Sequence, residues 1–294
     1  MIRIESHSKA PVDLDPTLVK KSFNRDSFLI QHHLSGHPSF QLERLVELSR
    51  TLPESRVEFN LGELPISIDP AATPRNGLSI EQTIKQIETC RSWLVLKQVQ
   101  NDDEYRAHLD ACLDEVNRYT AATSGPMFDR IGFVFISSPG AVTPFHIDPE
   151  CNFLLQIHGS KRVYVFDKDD RELVSDCELE AFYSGGHRNL ALDESLKQRA
   201  SCFEIKPGQG LHIPQHAPDY VENGDQVSVS FSITFNVTES DRDRSVYWFN
   251  KRLRKLRFDP LPPGKSAFWD SAKYATFRTI RGMKRAFLGK GKRV

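Results

Sequence analysis

The stretch from Val142 to Phe166 constrains this chain more than any other. Two runs with strand-like character, Asn152–His158 and Lys161–Phe166, flank Gly159-Ser160, a two-residue signal for a tight hairpin. In such a hairpin His158 pairs with Lys161 and Gln156 with Val163, and paired residues share a face. Asn152 lies on the face of Gln156 and His158 by period two, so Asn152 and Lys161 are expected to point into one cavity. Just upstream, His146 and Asp148 stand two apart beside the strand run. An imidazole and a carboxylate at that spacing can hold two neighbouring positions on one metal ion.

The pattern around this stretch is β-rich. Ile131–Ile136 reads as a short apolar strand, and 201–206, 209–214 and 226–237 read as further strands. The last alternates strictly, with Ser228, Ser230, Ser232 and Thr234 on one face. A polar face of that kind is either a pocket wall or a solvated surface. Before the strands, 40–52 carries a helical apolar stripe and 61–78 is loop-rich, with Pro65, Pro70, Pro74 and Gly77. Ser79 with Gln82 forms a capping box for a helix, 93–99 reads as a strand, and Asn101 with Glu104 caps a helix burying Tyr105, Leu109, Leu113 and Val116. An α/β region over 1–124 thus precedes a barrel over 125–240. A basic helical region over 241–294 follows, broken at Pro260, Pro262 and Pro263, with Trp269, Phe277, Ile280 and Phe287 as an apolar stripe.

Thr143, His146, Asp148, Asn152, Gly159, Lys161 and Arg162 stand in the register T-x-x-H-x-D, Asn four residues on, then Gly-x-Lys-Arg. This resembles the core of the JmjC-type, cupin-fold oxygenases, and most closely their asparaginyl-hydroxylase branch. The wider resemblance, to bacterial cupin-like JmjC proteins, covers roughly residues 125–240. It implies a double-stranded β-helix, mainly β, with helical N- and C-terminal parts. It implies Fe(II) at His146 and Asp148, part of a 2-His-1-carboxylate face, and 2-oxoglutarate held by Lys161 with Thr143 and Asn152 nearby. The family closes its metal site with a His that follows a Gly-Asp-x-Leu-x-x-Pro segment. Here Pro207–Asn223 aligns on Ile213-Pro214, and the third-ligand position is Asp219. His216 lies three residues upstream and His212 seven. Three readings stand: Asp219 ligates, His216 substitutes for it, or the metal site is weakened or lost. The expected function is an Fe(II)/2-oxoglutarate-dependent hydroxylase acting on a protein side chain or small molecule. The alternative is a catalytically impaired cupin-like binding or regulatory protein.

Length and composition suit a globular chain: 294 residues, 39% hydrophobic and 27% charged. No run is long and apolar enough to span a bilayer, and Met1–Ser8 lacks the apolar core of a signal peptide. The cysteines Cys90, Cys112, Cys151, Cys177 and Cys202 are scattered without a C-x-x-C, which fits reduced thiols and a cytoplasmic location. Cys151 reads as a small packing residue. Net charge is zero but polarised: residues 251–294 hold 14 Lys/Arg against Asp259 and Asp270, and the rest holds 25 bases against 37 acids. Such a tail suits nucleic acid or an acidic surface, including the chain's own or a sister subunit's. C-terminal helices of related oxygenases often pair subunits, so the resemblance implies a homodimer. His32, His33 and His37 cluster before the first helical stripe; their spacing suits a metal, but Gly36 and Pro38 argue for a turn.

Overall fold

The alternation in 228–236 becomes a central strand buried on both faces, because a second sheet covers the side that carries Ser228, Ser230, Ser232 and Thr234. The computed structural model describes residues 10–62, 64–68 and 76–289, with side chains as far as residue 283. Residues 1–9, Pro70, Pro74 and the side chain of Phe287 therefore lie outside the described residues.

Among the described residues twelve strands form two antiparallel sheets. The large sheet runs, in spatial order, β1 (Val12–Asp13), β2 (Phe28–His32), β10 (Gln209–Ile213), β7 (Cys151–His158), β12 (Ser228–Asn236), β5 (Phe128–Ser137), β4 (Ser92–Lys97) and β3 (Val57–Leu61). The small sheet runs β6 (Val142–His146), β11 (Asp219–Asn223), β8 (Lys161–Val165) and β9 (Ser201–Ile205). Their inner faces meet in one apolar cluster: Leu154, Leu211 and Ile213 from the large sheet, Val163, Val165, Ile205 and Val221 from the small one. Each fully buried side chain of this kind stabilises the fold by about 1.5–3 kcal/mol. This is a double-stranded β-helix, the cupin or jelly-roll architecture. The strands over 12–97 do not form a separate layer before the barrel; they extend its large sheet on both edges.

The expected Gly159-Ser160 hairpin does not form. β7 pairs with β10 and β12, whereas β8 pairs with β11 and β9 in the other sheet. Gly159 is the crossing point between sheets. Its φ is +67°, and a Cβ there would stand 2.3 Å from the Val227 carbonyl oxygen, so only glycine fits. Burial decides against the hairpin, since one ribbon would leave the apolar residues of both strands without a facing layer. His158 does not share the face of Gln156 either, because a bulge in the pairing with β12 leaves it exposed.

The outer face of the large sheet carries Phe153, Phe231, Ile233 and Val134, all fully buried. Here lie α1 (Pro16–Ser22), α2 (Leu42–Thr51), α3 (Ile80–Lys85) and α4 (Asp103–Ser124). The capping box of Ser79 and Gln82 starts α3. α4 is capped by Asp102 rather than Asn101, the Asp102 carboxylate accepting from Glu104 N–H. It buries Tyr105, Leu109, Leu113 and Val116 along one stripe.

These strands and helices belong to one compact unit, residues 1–169 with 189–236. Residues 170–188 and 237–294 make a second, helical unit. It contains α5 (Asp176–Phe182), α6 (Thr238–Lys255) and α7 (Ala267–Gly289). Arg254 Nε donates at 3.0 Å to both oxygens of the fully buried Glu180, tying α6 to α5. Phe277 packs on Trp248, while Trp269 is 56% exposed, so the expected stripe of α7 is only partly covered. No helix among the described residues is long and apolar enough to cross a membrane.

Candidate functional site

The inner face of the small sheet is set by register. Asp219, Val221 and Asn223 alternate along β11 and stand opposite Val165, Val163 and Lys161 of β8. On the other side Asp219 pairs with His146 and Val221 with Thr143, across a bulge in β6. Paired residues share a face, so His146, Thr143, Asp219, Asn223 and Lys161 all front the interior. Asn152 joins them from the large sheet, on the same face of β7 as Leu154. The hairpin that suggested this convergence is absent; the two facing sheets produce it instead.

His146 Nε2 lies 3.7 Å from Asp148 Oδ2 and 3.8 Å from Asp219 Oδ1. Its Nδ1 stands 2.9 Å from the Pro144 carbonyl, which can only accept, so Nδ1 carries hydrogen. On the neutral ring Nε2 then presents a lone pair between two carboxylate oxygens. Two atoms each about 2.1 Å from one ion lie about 3.0–3.4 Å apart, so each carboxylate is within about 1 Å of the separation from His146 that a shared ion requires. The donor set, one nitrogen and two oxygens, suits first-row ions of intermediate or hard character. His146 and Asp219 side chains are 8% and 6% exposed; Asp148, at 25%, forms the open side.

The loop bearing Asp148 is held by the turn after β10. His216 N–H donates to the Asp148 carbonyl (3.1 Å), and Gln215 Nε2 donates to the Pro149 carbonyl (3.0 Å). His216 sits in the left-handed region, φ 64°, and is buried. Asn24 anchors this turn. Its Oδ1 accepts from Gln215 N–H (3.0 Å) and from the buried Cys151 thiol (3.4 Å). Its own N–H donates to His212 Nε2 (3.0 Å), which leaves Nδ1–H of His212 to donate to the Asn152 carbonyl (3.0 Å). His212 therefore faces away from the site, in an aromatic nest with Phe23, Phe28 and Phe153. Burial pushes its pKa down to about 3. No local pattern marks Asn24; nearly 200 residues separate it from the turn it holds.

Lys161 is 5% exposed and makes no hydrogen bond or ion pair with any described residue. Desolvation pushes its pKa down to about 7. Directly opposite on β11, Asn223 donates to the Ala141 carbonyl (2.7 Å), while its buried Oδ1 has no hydrogen-bond partner. Asn152 Oδ1 accepts from Ser232 (2.8 Å), which leaves its Nδ2 as a donor. A buried amine and an amide donor on inward faces suit a small anion, whereas the Asn223 oxygen beside them can only accept. Gln156, by contrast, is satisfied by Ser228, Ser230 and the His158 carbonyl, so the polar wall of β12 is largely committed to its own sheet. Tyr164 lies on the face opposite Lys161, but stacked on Tyr220 and bonded to Glu222 on the outer side of the small sheet, not in the core.

No protein-family model matches the chain. It is 29% identical over 120 residues to HSPB1-associated protein 1 of Bos taurus, a match covering 38% of this chain and 25% of that protein. Against the Danio rerio homolog it is 30% identical over 133 residues, covering 42% and 30%. The chain thus spans less than a third of the curated relatives it matches. In structure it is similar to YcfD, a ribosomal oxygenase from Escherichia coli solved in complex with cobalt and 2-oxoglutarate, with a TM-score of 0.51 and 16% identity over 88% of this chain and 61% of that one. At that identity the likeness is one of fold.

Proposed function

We propose that this chain, which carries the double-stranded β-helix of the JmjC and cupin oxygenases, is an Fe(II)/2-oxoglutarate-dependent oxygenase. The observation that carries the reading is the placement of His146 Nε2 3.7 Å from Asp148 and 3.8 Å from Asp219, on the interior face that also bears Lys161. His146, Asp148 and Asp219 would hold the metal. Lys161 would meet the distal carboxylate of the cosubstrate, Asn152 Nδ2 would donate a second hydrogen bond, and Thr143 lies on the same face. The metal and cosubstrate together supply the oxidising chemistry, which no amino-acid side chain provides. The protein's part is position and exclusion. The Pro144 carbonyl fixes the His146 tautomer. The 215–216 turn holds the Asp148 loop, and the apolar cluster of Leu154, Val163 and Val221 keeps water from the inner end. Asp148, on the open side, is where substrate would approach.

Calorimetry tests this directly. With Mn(II) present, 2-oxoglutarate should bind the wild-type chain, and Lys161→Ala should weaken that binding at least about a hundredfold through loss of a buried charge partner. Equal binding by Lys161→Ala removes the assignment. One observation favours a second reading. Asp219 in place of histidine at the third-ligand position makes the site harder and more anionic than the usual set, as expected of a binding or regulatory protein whose oxygenase activity has faded. Conversion of 2-oxoglutarate to succinate separates the two: turnover supports the oxygenase, whereas tight binding without turnover supports the binding protein. The substrate, a protein side chain or a small molecule, and any role of the basic tail toward an acidic partner belong to this proposal.

A further inference from the structure

A second cluster of metal-ligating groups sits on the other side of the large sheet. Pro38–Phe40 form a single 3-10 turn, with His37 at its N-cap. Tyr105 of α4 donates to the Ser39 carbonyl, and Phe40 packs between Tyr105, His108 and Phe231 on the outer face of β12. The turn is thereby pressed against the first turns of α4. Glu104 and His108, four apart on that helix, share the face turned toward it.

Four polar atoms converge there. Ser39 Oγ lies 2.9 Å from His37 Nδ1, 2.5 Å from Glu104 Oε1 and 3.0 Å from His108 Nε2. The three ligand atoms of His37, Glu104 and His108 are all within 4.8 Å of one another. Atoms at the corners of a tetrahedral zinc site are about 3.4 Å apart, so this set lies within small side-chain adjustments of one. The other carboxylate oxygen, Glu104 Oε2, accepts from Arg44 Nε (3.1 Å), and Arg44 is itself anchored on Asp102 (2.6 Å). That clamp leaves Oε1 facing the cluster, as an outer partner does for a ligating carboxylate.

Hydrogen counting shows why the cluster is incomplete by itself. Ser39 has one hydroxyl hydrogen, and the carboxylate of Glu104 takes it. His108 can donate Nε2–H to Oγ. His37 Nδ1, however, faces the Ser39 backbone N–H at 3.3 Å and so presents a lone pair. The contact between that nitrogen and Oγ then has no hydrogen in it. A cation would supply the missing attraction, with His108 in its other tautomer and the His37 Nδ1 lone pair turned from the Ser39 N–H to the ion. Ser39 is 1% exposed, but Glu104 is open to solvent and gives an ion a way in.

We propose that His37, Glu104 and His108, with the Ser39 hydroxyl at the fourth corner, bind a first-row divalent cation, for which zinc best matches two imidazoles and one carboxylate. The ion would staple the 37–40 turn to α4 behind the sheet that carries Asn152 on its inner face. It is independent of the interior site.

The test uses zinc and the full chain carrying His146→Ala, so that the interior site is out of play. One equivalent of Zn(II) should bind and raise the melting temperature. Adding His108→Gln or the solvent-exposed Glu104→Gln should weaken binding at least about tenfold. Circular dichroism of the metal-free variants checks that each is folded, and Glu104→Gln serves if His108→Gln is not. Co(II) in place of zinc should give the intense visible bands of a tetrahedral ion, lost in the same variants. Absence of zinc binding in the His146→Ala chain, or zinc binding unchanged by Glu104→Gln and His108→Gln, overturns the proposal.

Discussion

Asp219 stands directly across the β6–β11 pair from His146, with its Oδ1 3.8 Å from the imidazole Nε2. Backbone register brings the two together, so their approach does not depend on a flexible loop. A residue at the start of β11 whose side chain turns inward is bound to face the end of β6. The carboxylate is 6% exposed.

Lys161 should be a liability to the ligand-free protein. Its folded pKa, about 7, lies below the ordinary lysine value of 10.5. Between those values the unfolded chain binds more protons than the folded one, so this group makes stability rise as pH increases from 7 to about 10.5. Below pH 7 the full penalty of the buried charge applies. Lys161→Met should therefore raise the melting temperature of the ligand-free protein at pH 7, with a gain that shrinks toward pH 10. A destabilised Lys161→Met chain at pH 7 would show that the amine has a partner.

His212 should act with the same sign in a more acid window. Its folded pKa of about 3 lies below the unfolded value of 6.5, so it stays neutral in the fold while the unfolded chain takes up a proton. The stability tied to this histidine is complete above pH 6.5 and is lost progressively as pH falls toward 3. Denaturant melts at pH 7 and pH 5 should show this loss, and His212→Gln should flatten the slope while lowering stability at pH 7. An identical slope in the variant would assign the acid sensitivity elsewhere.

Gly159 is the residue on which the change of sheet depends. Alanine there meets the Val227 carbonyl oxygen at 2.3 Å and a φ of +67°. The substitution should cost more than about 2 kcal/mol in urea melts. A loss within about 0.5 kcal/mol, the range of ordinary surface changes, would mean the crossing is built differently.

What could be read from the sequence divides by range. Thr143, His146, Asp148, Asn152 and Lys161 fall within nineteen consecutive positions, so the motif was legible locally, although the β6 bulge and the two facing sheets, not simple alternation, bring them together. The same locality misled at Gly159-Ser160: a hairpin and a crossing between sheets have the same short-range signature, and only the partners of β7 and β8, far along the chain, separate them. The β11 strand was not legible as a strand, because Asp219 and Asn223 are poor strand formers that are tolerated here for their inward side chains. Asn24 and His212 depend on a contact across 188 residues, and the approach of His37 to Glu104 and His108 spans more than sixty. His37 was visible as a histidine near others, yet its neighbours in space are on α4 and not His32 or His33. His32 instead bonds the Gln156 carbonyl inside the fold, and His33 pairs with Asp13.

The central claim is that His146, Asp148 and Asp219 hold one divalent metal. The most direct measurement is the melting temperature under anaerobic Mn(II) or Fe(II), in a chain carrying His108→Gln so that the outer cluster does not contribute. At a hundred times the dissociation constant a bound ion adds about 2.7 kcal/mol to stability. The account predicts a rise that disappears in Asp219→Ala and returns, larger, in Asp219→His. A rise that survives Asp219→Ala but is lost in His216→Ala would move the third ligand to His216, and no rise with either ion would contradict the account.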